Sequence, residues 1–132
     1  MRISKKIFGA YDVRGRYPRE INTKTTALIA QALSEKWRGQ KVILARDIRH
    51  GSVELAGAVK AALESNQVIV IDTGLTTTPM LYFLVCATQA AGGIMVTASH
   101  NPKNWNGLKV VSQNAVPIRG EEIYQKIQTL PQ

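Results

Sequence analysis

The sequence predicts an α/β fold, a three-layer αβα sandwich around a mostly parallel, mixed sheet of about four strands. Three observations support this class. Strand and helix patterns alternate along the chain, as in sheets that are covered by helices. Residues 41–45, 68–71 and 93–97 are short, continuously apolar segments, which is typical of strands covered on both faces. The length of 132 residues is that of one domain, so we treat residues 1–132 as a single domain.

The first part of the chain contains one strand pattern and one helix pattern. Residues 7–13 form an extended segment, which the turn-like Arg14-Gly15-Arg16 follows. A helix begins at Asn22 or Thr23, either of which can act as the N-cap, and it is closed by Gly39. Its apolar side chains recur at helical spacing, at Ile29, Ala30, Leu33 and Trp37.

The strand at residues 41–45 leads into a second helix. Ser52 is a good N-cap for this helix, which ends near Asn66. Thr78 and Pro79 resemble an N-cap followed by proline at the first helical position, so they predict a third helix between the next two strands. The second helix has an apolar face that contains Leu55, Ala56, Val59, Ala62 and Leu63.

The last part of the chain adds shorter elements. We expect a strand at residues 108–111, a turn at Gln113-Asn114, an extended segment at 115–118 and a helix over 121–130. In α/β sheets of this kind, ligands bind beyond the carboxyl ends of the strands. The chemistry is therefore expected in the loops that follow the buried strands, at residues 46–51, 72–78 and 97–107.

Basic residues outnumber acidic ones by 17 to 9, which gives a formal net charge of +8. This balance predicts an anionic partner, which could be nucleic acid, a phosphorylated small molecule or an acidic protein surface. The basic residues form no dense block, so a nucleic-acid partner is not expected. Asp12, Asp47 and Asp72 are far apart in the sequence, and no local carboxylate cluster predicts a site for Mg²⁺ or Ca²⁺.

The composition also favours a cytoplasmic protein. No apolar run approaches the roughly 20 residues that span a bilayer, so no membrane partner is expected. No apolar signal core follows the basic N-terminus. Cys86 is the single cysteine, which excludes an internal disulfide and fits a reducing compartment.

The segment from Thr97 to Lys109 is almost entirely polar, although it directly follows a buried strand. From such a loop, the hydroxyl of Ser99 could act as a nucleophile or carry a phosphoryl group. A phosphoserine holds nearly two negative charges, which suits a basic site. His100 and Lys109 could then donate or accept protons. The alternative is a surface loop of turn residues, and no Ser-His-Asp triad is visible.

Five ordered segments of this chain resemble the α-D-phosphohexomutases, and together they cover nearly its whole length. The string Thr97-Ala98-Ser99-His100-Asn101-Pro102 resembles the phosphoserine signature of that family, most closely in its bacterial phosphomannomutase/phosphoglucomutase branch. The other four segments are Tyr11-Asp12-Val13-Arg14-Gly15, Arg46-Asp47-Ile48-Arg49, Asp72-Thr73-Gly74-Leu75 with Thr78-Pro79-Met80, and Asn106-Gly107-Leu108-Lys109. In the last of these, Leu108 occupies a position where the family has an aromatic residue.

The resemblance implies a two-step phosphoryl transfer that interconverts hexose 1-phosphate and hexose 6-phosphate through a bisphosphorylated sugar. Phosphorylated Ser99 would donate its phosphoryl group, and its phosphate would also be a ligand of Mg²⁺. Lys109 would be the leading general acid/base, and His100 a second candidate. Arg14 and Tyr11 would bind the substrate near the phosphoserine. A hexose 1,6-bisphosphate would act as the activator.

The resemblance covers only the first of the family's four domains. The Asp-x-Asp-x-Asp loop that holds Mg²⁺ in the family is absent from this sequence. We therefore expect a domain taken from a longer polypeptide, with the remaining domains as its partners and negligible mutase activity by itself. The alternative is a stand-alone module that binds a sugar phosphate or has a regulatory role without catalysis.

Other polar and aromatic residues have simpler interpretations. Asp47 and Arg49 are expected to form an ion pair that shapes their loop, and His50 to be exposed. Trp37 and Cys86 are expected in the core. Trp105 is expected to pack under the polar loop or to contact a neighbouring domain.

Overall fold

A computed structural model of the chain describes residues 3–131, which contain five strands and four α-helices. Two short 3₁₀ turns, Lys5–Ile7 and Gln113–Ala115, accompany them. The strands are β1 (Val13–Arg16), β2 (Lys41–Arg46), β3 (Ile69–Leu75), β4 (Gly92–Val96) and β5 (Trp105–Ser112). The helices are α1 (Thr23–Trp37), α2 (Ser52–Ser65), α3 (Thr78–Ala87) and α4 (Gly120–Gln128).

The strands form one sheet in the order β1-β5-β4-β2-β3. β2 pairs in parallel with both β3 and β4, whereas β5 runs antiparallel to its two neighbours β4 and β1. Four strands therefore share one direction and β5 alone is reversed. This confirms the α/β class and the mostly parallel mixed sheet, with five strands where about four were expected.

The strand β1 lies later in the chain than the sequence predicts. Residues 14–16, expected as a turn, pair in register with the start of β5, where Arg14 lies opposite Gly107. The extended segment expected at residues 7–13 instead folds back on itself. Phe8 and Val13 form a single antiparallel bridge, and the N–H of Gly9 donates to the carbonyl of Asp12 at 2.8 Å.

The helix starts depend on their caps, and two of the predicted caps shift by one residue. Asn22 caps α1 as expected, since its side chain accepts from the N–H groups of Lys24 and Thr25. Ser52 is the first helical residue of α2 and does not cap it, because Gly51 holds the cap position at φ 89°. Thr77, not Thr78, caps α3.

Two apolar clusters lie on opposite faces of the sheet. Helices α1, α2 and α4 cover one face, where Trp37 is 1% exposed, as predicted. Helix α3 covers the other face with Leu81 and Val85, which are one helical turn apart. Cys86 follows Val85 on the outer side of α3 and is exposed, so its prediction as a core residue is wrong.

The strand β3 is an edge strand, and its predicted burial on both faces is also wrong. Within the predicted strand at residues 68–71, Ile69 is 57% exposed and Ile71 is 37% exposed. Helix α3 packs against β2 and β4 and leaves the same face of β3 uncovered. The continuously apolar segment at residues 68–71 therefore leads into an edge strand, one face of which no helix covers.

The chain end departs from expectation in one detail. Residues 115–118 form no strand, and only Pro117 bridges to Val111. The helix expected over residues 121–130 is α4. Within residues 3–131, no helix is both long and apolar enough to cross a membrane.

A β-carbon at position 92 has no room in the core. It would lie 2.5 Å from the Trp37 ring and 2.7 Å from the carbonyl oxygen of Val111. We expect Gly92→Ala to lower the free energy of unfolding by about 2 kcal/mol, because the buried ring and the strand must both move. Urea denaturation followed by circular dichroism measures this loss.

The matched control is Gly57→Ala inside α2, where a β-carbon would meet nothing within 4 Å. Alanine favours a helix over glycine, so this variant should gain about 0.5 kcal/mol. Equal stabilities of the two variants would contradict the packing described for Gly92.

Candidate functional site

Two loops and the start of β5 meet at one edge of the sheet. The Ser99 loop (residues 97–104) follows β4, and the Asp47 loop (residues 47–51) follows β2. Because β2 and β4 are parallel neighbours, both loops leave the sheet at the same edge. β5 is antiparallel to β4, so its first residues lie at that edge as well. The sequence predicts the chemistry at this edge, but residues 72–75 of the predicted loop 72–78 belong to β3, and residues 105–107 of the predicted loop 97–107 belong to β5.

Ser99 is half-buried and has a φ of 55°, which is in the left-handed region. A non-glycine residue in this region costs roughly 1 kcal/mol, so the surrounding contacts must hold it there. The N–H of Ser99 donates to Oγ1 of Thr97 at 3.0 Å. The N–H and side-chain amide of Asn101 both donate to the carbonyl of Ala98, at 3.1 and 2.8 Å. The loop is therefore a compact turn that presents Ser99.

The guanidinium of Arg49 fixes the Ser99 loop through three of its backbone carbonyls and the carbonyl of Trp105 at the start of β5. Its Nη2 donates to Ser99 at 2.7 Å and to Asn101 at 2.6 Å. Its Nη1 donates to Pro102 at 2.7 Å and to Trp105 at 3.1 Å. Hydrogen bonds from a charged donor are stronger than neutral ones. One side chain of the Asp47 loop thus determines the path of the Ser99 loop.

Asp47 supports Arg49, which confirms the predicted ion pair. Nε of Arg49 lies 3.5 Å from Oδ2 of Asp47, and the backbone N–H of Arg49 donates to Oδ1 at 3.0 Å. The hydroxyl of Ser52 also donates to Oδ1, at 2.7 Å. The N–H of Asp47 donates to the carbonyl of Val96 at 3.0 Å, which ties the carboxylate to the end of β4.

Asn106 completes the network and was missed as a site residue by sequence reasoning. It is fully buried, and its side-chain amide donates to the carbonyl of His50 at 3.1 Å and to Oγ of Ser52 at 3.0 Å. Its Oδ1 accepts from the N–H of Gly107 at 2.8 Å. Asn106-Gly107 is a turn signal in the sequence, but both residues lie inside β5. The exposed position of His50 agrees with the prediction.

Arg14 and Tyr11 line an open cavity of about 820 Å³ beside the Ser99 loop. The Arg14 guanidinium contacts the carboxylate of Asp12 and remains 39% exposed. Tyr11, at 58% exposure, lies in the turn between Phe8 and Val13. Asn101 and Trp105 also line the cavity, so the opening segment and the Ser99 loop share it.

Lys109 and His100 occupy different surroundings. Lys109 is half-buried in the middle of β5, opposite Met95, rather than at the start of a strand as predicted. No carboxylate of residues 3–131 forms an ion pair with it. His100 is exposed and follows Ser99 in the loop. Ser99, His100 and Lys109 lie outside the lining of the 820 Å³ cavity.

The described residues do not fit a metal site by themselves. In residues 3–131, no three His, Cys, Asp or Glu side chains come together as ligands. All three aspartates have basic partners, with Asp12 beside Arg14, Asp47 beside Arg49 and Asp72 3.9 Å from Lys60. A carboxylate that is paired with a cation in this way is a poor start for a cation site.

Comparison with known proteins identifies relatives of this chain. Residues 5–132 match the family model "Phosphoglucomutase/phosphomannomutase, alpha/beta/alpha domain I". A "Phosphohexose mutases" protein of Xanthomonas campestris pv. campestris (strain B100) is 43% identical over 114 residues, which are 86% of this chain and 25% of that protein. A phosphomannomutase of Klebsiella pneumoniae is 39% identical over 123 residues, which are 93% of this chain and 78% of that protein.

Solved structures show the same fold. A phosphoglucomutase/phosphomannomutase family protein from Burkholderia thailandensis superposes with a TM-score of 0.84 at 33% identity. The superposition covers 96% of this chain and 30% of that one. A structure described as a putative phosphomannomutase from Thermus thermophilus also gives 0.84, at 32% identity. The chain therefore spans about a quarter of the Xanthomonas protein and under a third of both solved chains.

The buried amide of Asn106 should be essential for stability. We expect Asn106→Ala to lower the free energy of unfolding by about 2 kcal/mol, because it leaves buried partners without a hydrogen bond. Urea denaturation of the variant measures the loss.

Asn104→Ala is its control, since Asn104 is an exposed asparagine at the end of the Ser99 loop, two residues before Asn106. Its stability should stay within about 0.5 kcal/mol of the original chain. If the two asparagine variants lost the same stability, the Asn106 network would have no special role.

Proposed function

Because the chain belongs to the phosphoglucomutase/phosphomannomutase family, where it matches domain I, we propose that it carries the transferable phosphoryl group of a phosphohexomutase on Ser99. The observation that supports this most directly is the geometry of Ser99. It lies beyond the carboxyl end of β4 in a left-handed turn, and the Arg49 guanidinium holds its carbonyl. The reacting hydroxyl is thus presented by a rigid loop, as positional catalysis requires.

The proposed reaction transfers the phosphoryl group twice. In the first step, the bond from phosphorus to Oγ of Ser99 breaks as a bond forms to a hydroxyl oxygen of a hexose 1-phosphate or 6-phosphate. The resulting bisphosphate reorients, and its other phosphoryl group returns to Ser99. In each transfer, the accepting hydroxyl loses a proton and the leaving oxygen gains one. Lys109 is the leading candidate for this proton transfer, and His100 is the second.

The positive charge of the domain suits such a transfer. The transferring group spreads negative charge over three oxygens, and fixed cations stabilise it. Arg14 is a partly exposed cation on the cavity beside the Ser99 loop, and Tyr11 adds an exposed hydroxyl there. We therefore assign Arg14 and Tyr11 to substrate binding.

The rest of the proposal concerns the whole protein. We propose that the remaining domains of a longer polypeptide are the partners of this one, because the longer relatives are about three and a half times its length. Mg²⁺ and a hexose 1,6-bisphosphate activator belong to that complete enzyme. Residues 3–131 do not form a metal site by themselves. A cytoplasmic location is supported by the lone, unpaired Cys86.

Phosphopeptide mapping tests the proposal. We would isolate the protein from its native cells with an antibody to this domain, determine its intact mass and map its phosphate. We expect a mass above 14.5 kDa and phosphate on Ser99, with the exposed Ser65 at the end of α2 unmodified as an internal control. A mass of 14.5 kDa with a bare Ser99 would refute the proposal and favour the stand-alone binding module.

The 132-residue chain should show no mutase turnover by itself. We expect its conversion of glucose 1-phosphate to glucose 6-phosphate, in a coupled dehydrogenase assay with Mg²⁺ and the bisphosphate, to equal that of Ser99→Ala. The physical reason is that residues 3–131 contain no cluster of metal ligands, and we propose that other domains complete the substrate site. Turnover that disappears in Ser99→Ala would show instead that this domain is sufficient.

A further inference from the structure

The peptide unit between Ser99 and His100 is oriented by Arg49. The carbonyl of Ser99 accepts from Nη2 of Arg49 at 2.7 Å, and this peptide bond is trans. In a trans peptide, the N–H points opposite to the C=O. The N–H of His100 therefore points away from the guanidinium. Among residues 3–131, this N–H forms no hydrogen bond to a backbone carbonyl, and the side-chain hydrogen bonds of the loop involve other groups.

The constraint on this peptide is strong. The Arg49 side chain is only 15% exposed, and it also holds the carbonyls of Asn101 and Pro102 at 2.6 and 2.7 Å. With its neighbouring carbonyls held, the loop has little freedom to rotate the Ser99–His100 unit. Donation to the carbonyl also polarises the peptide, which makes its N–H a better donor.

We propose that Arg49 is a positioning residue, which orients the Ser99–His100 peptide so that the His100 N–H donates to the phosphoryl group on Ser99. This inference rests on the proposed function, because it assumes the phosphoryl group. A phosphoserine presents three strong acceptor oxygens, and it lies on the residue next to this unpaired N–H. A fixed backbone donor at that point stabilises the charge of the group that is transferred.

The inference is testable in the 132-residue chain by installing phosphoserine at position 99 through genetic encoding. We would compare ¹H–¹⁵N NMR spectra of the Ser99 and phosphoserine forms at pH about 8, where the phosphate is a dianion. We expect a downfield shift of the His100 amide proton on phosphorylation. Failure of this shift in the folded, original chain would overturn the inference.

The variant Arg49→Lys separates the positioning role of Arg49 from the effect of its positive charge. Lysine keeps the positive charge but cannot bridge several carbonyls with a planar fork. We expect most of the phosphorylation-induced shift to be lost, while the dispersed resonances of the helices and of the strands away from the Ser99 loop stay in place. An undiminished shift in this variant would show that Arg49 does not position the donor.

Arg46→Lys is the matched control, because Arg46 ends β2 and, among residues 3–131, its guanidinium donates only to the carbonyl of Asp47, at 3.4 Å. In Arg46→Lys, the phosphorylation-induced shift of the His100 amide proton should equal that of the original chain. If Arg49→Lys does not fold, Asp47→Asn provides the milder change, and it should reduce the shift by weakening the ion pair with Arg49. An unchanged shift in folded Asp47→Asn would then count against the inference.

Because the phosphoserine is installed and not formed by catalysis, this result is independent of the native phosphorylation state. A bare Ser99 in native cells would refute the proposed function and leave the NMR result standing. An absent amide shift would refute the role of Arg49 and leave the phosphopeptide result standing.

Discussion

The hydrogen bonds of the Arg49 guanidinium are the interaction on which the candidate site depends. Four carbonyls of the Ser99 loop and the start of β5 converge on this one side chain. Without such a donor, those carbonyls would have to find water, and the left-handed turn at Ser99 would lose its support. Asp47 holds the guanidinium in turn, and Ser52 and Asn106 connect that carboxylate to β5. The loop is thus stabilised by charge and hydrogen bonding, whereas the sheet beneath it is stabilised by the burial of apolar side chains.

The topology of the sheet makes this convergence possible. A parallel pair, β2 and β4, places two loops at one edge, and the reversed β5 returns the chain to the same edge. Segments that are separated by about fifty residues in sequence therefore contact each other, as in the bond from Arg49 to Ser99. β1 extends the arrangement by pairing with the first half of β5, which brings Arg14 level with Gly107.

Much of this could be predicted from the sequence, and the failures have physical reasons. The α/β class, the helix α1 with its Asn22 cap and the Asp47–Arg49 pair follow from local patterns, which the sequence carries directly. The exposure of β3 does not follow from local patterns, because an apolar edge strand and an apolar central strand have the same local pattern. The buried roles of Ser52 and Asn106 depend on which strands are neighbours, and one sequence does not contain the strand order. Asn106 lies in a segment that resembles the phosphohexomutases, but its Asn-Gly pair is typical of a turn and does not indicate a buried position in a strand.

The position of Cys86 has a practical consequence. It is the only cysteine of the chain, and it lies exposed on the outer side of α3, across the sheet from α1, α2 and α4. A maleimide dye or a nitroxide spin label would therefore attach at one defined point without any engineered substitution. Such a probe would be carried by the same helix that packs over β2 and β4, the strands that lead into the Asp47 and Ser99 loops. The native sequence thus supplies this domain with a single attachment point from which distances to the site can be measured by resonance energy transfer or electron paramagnetic resonance.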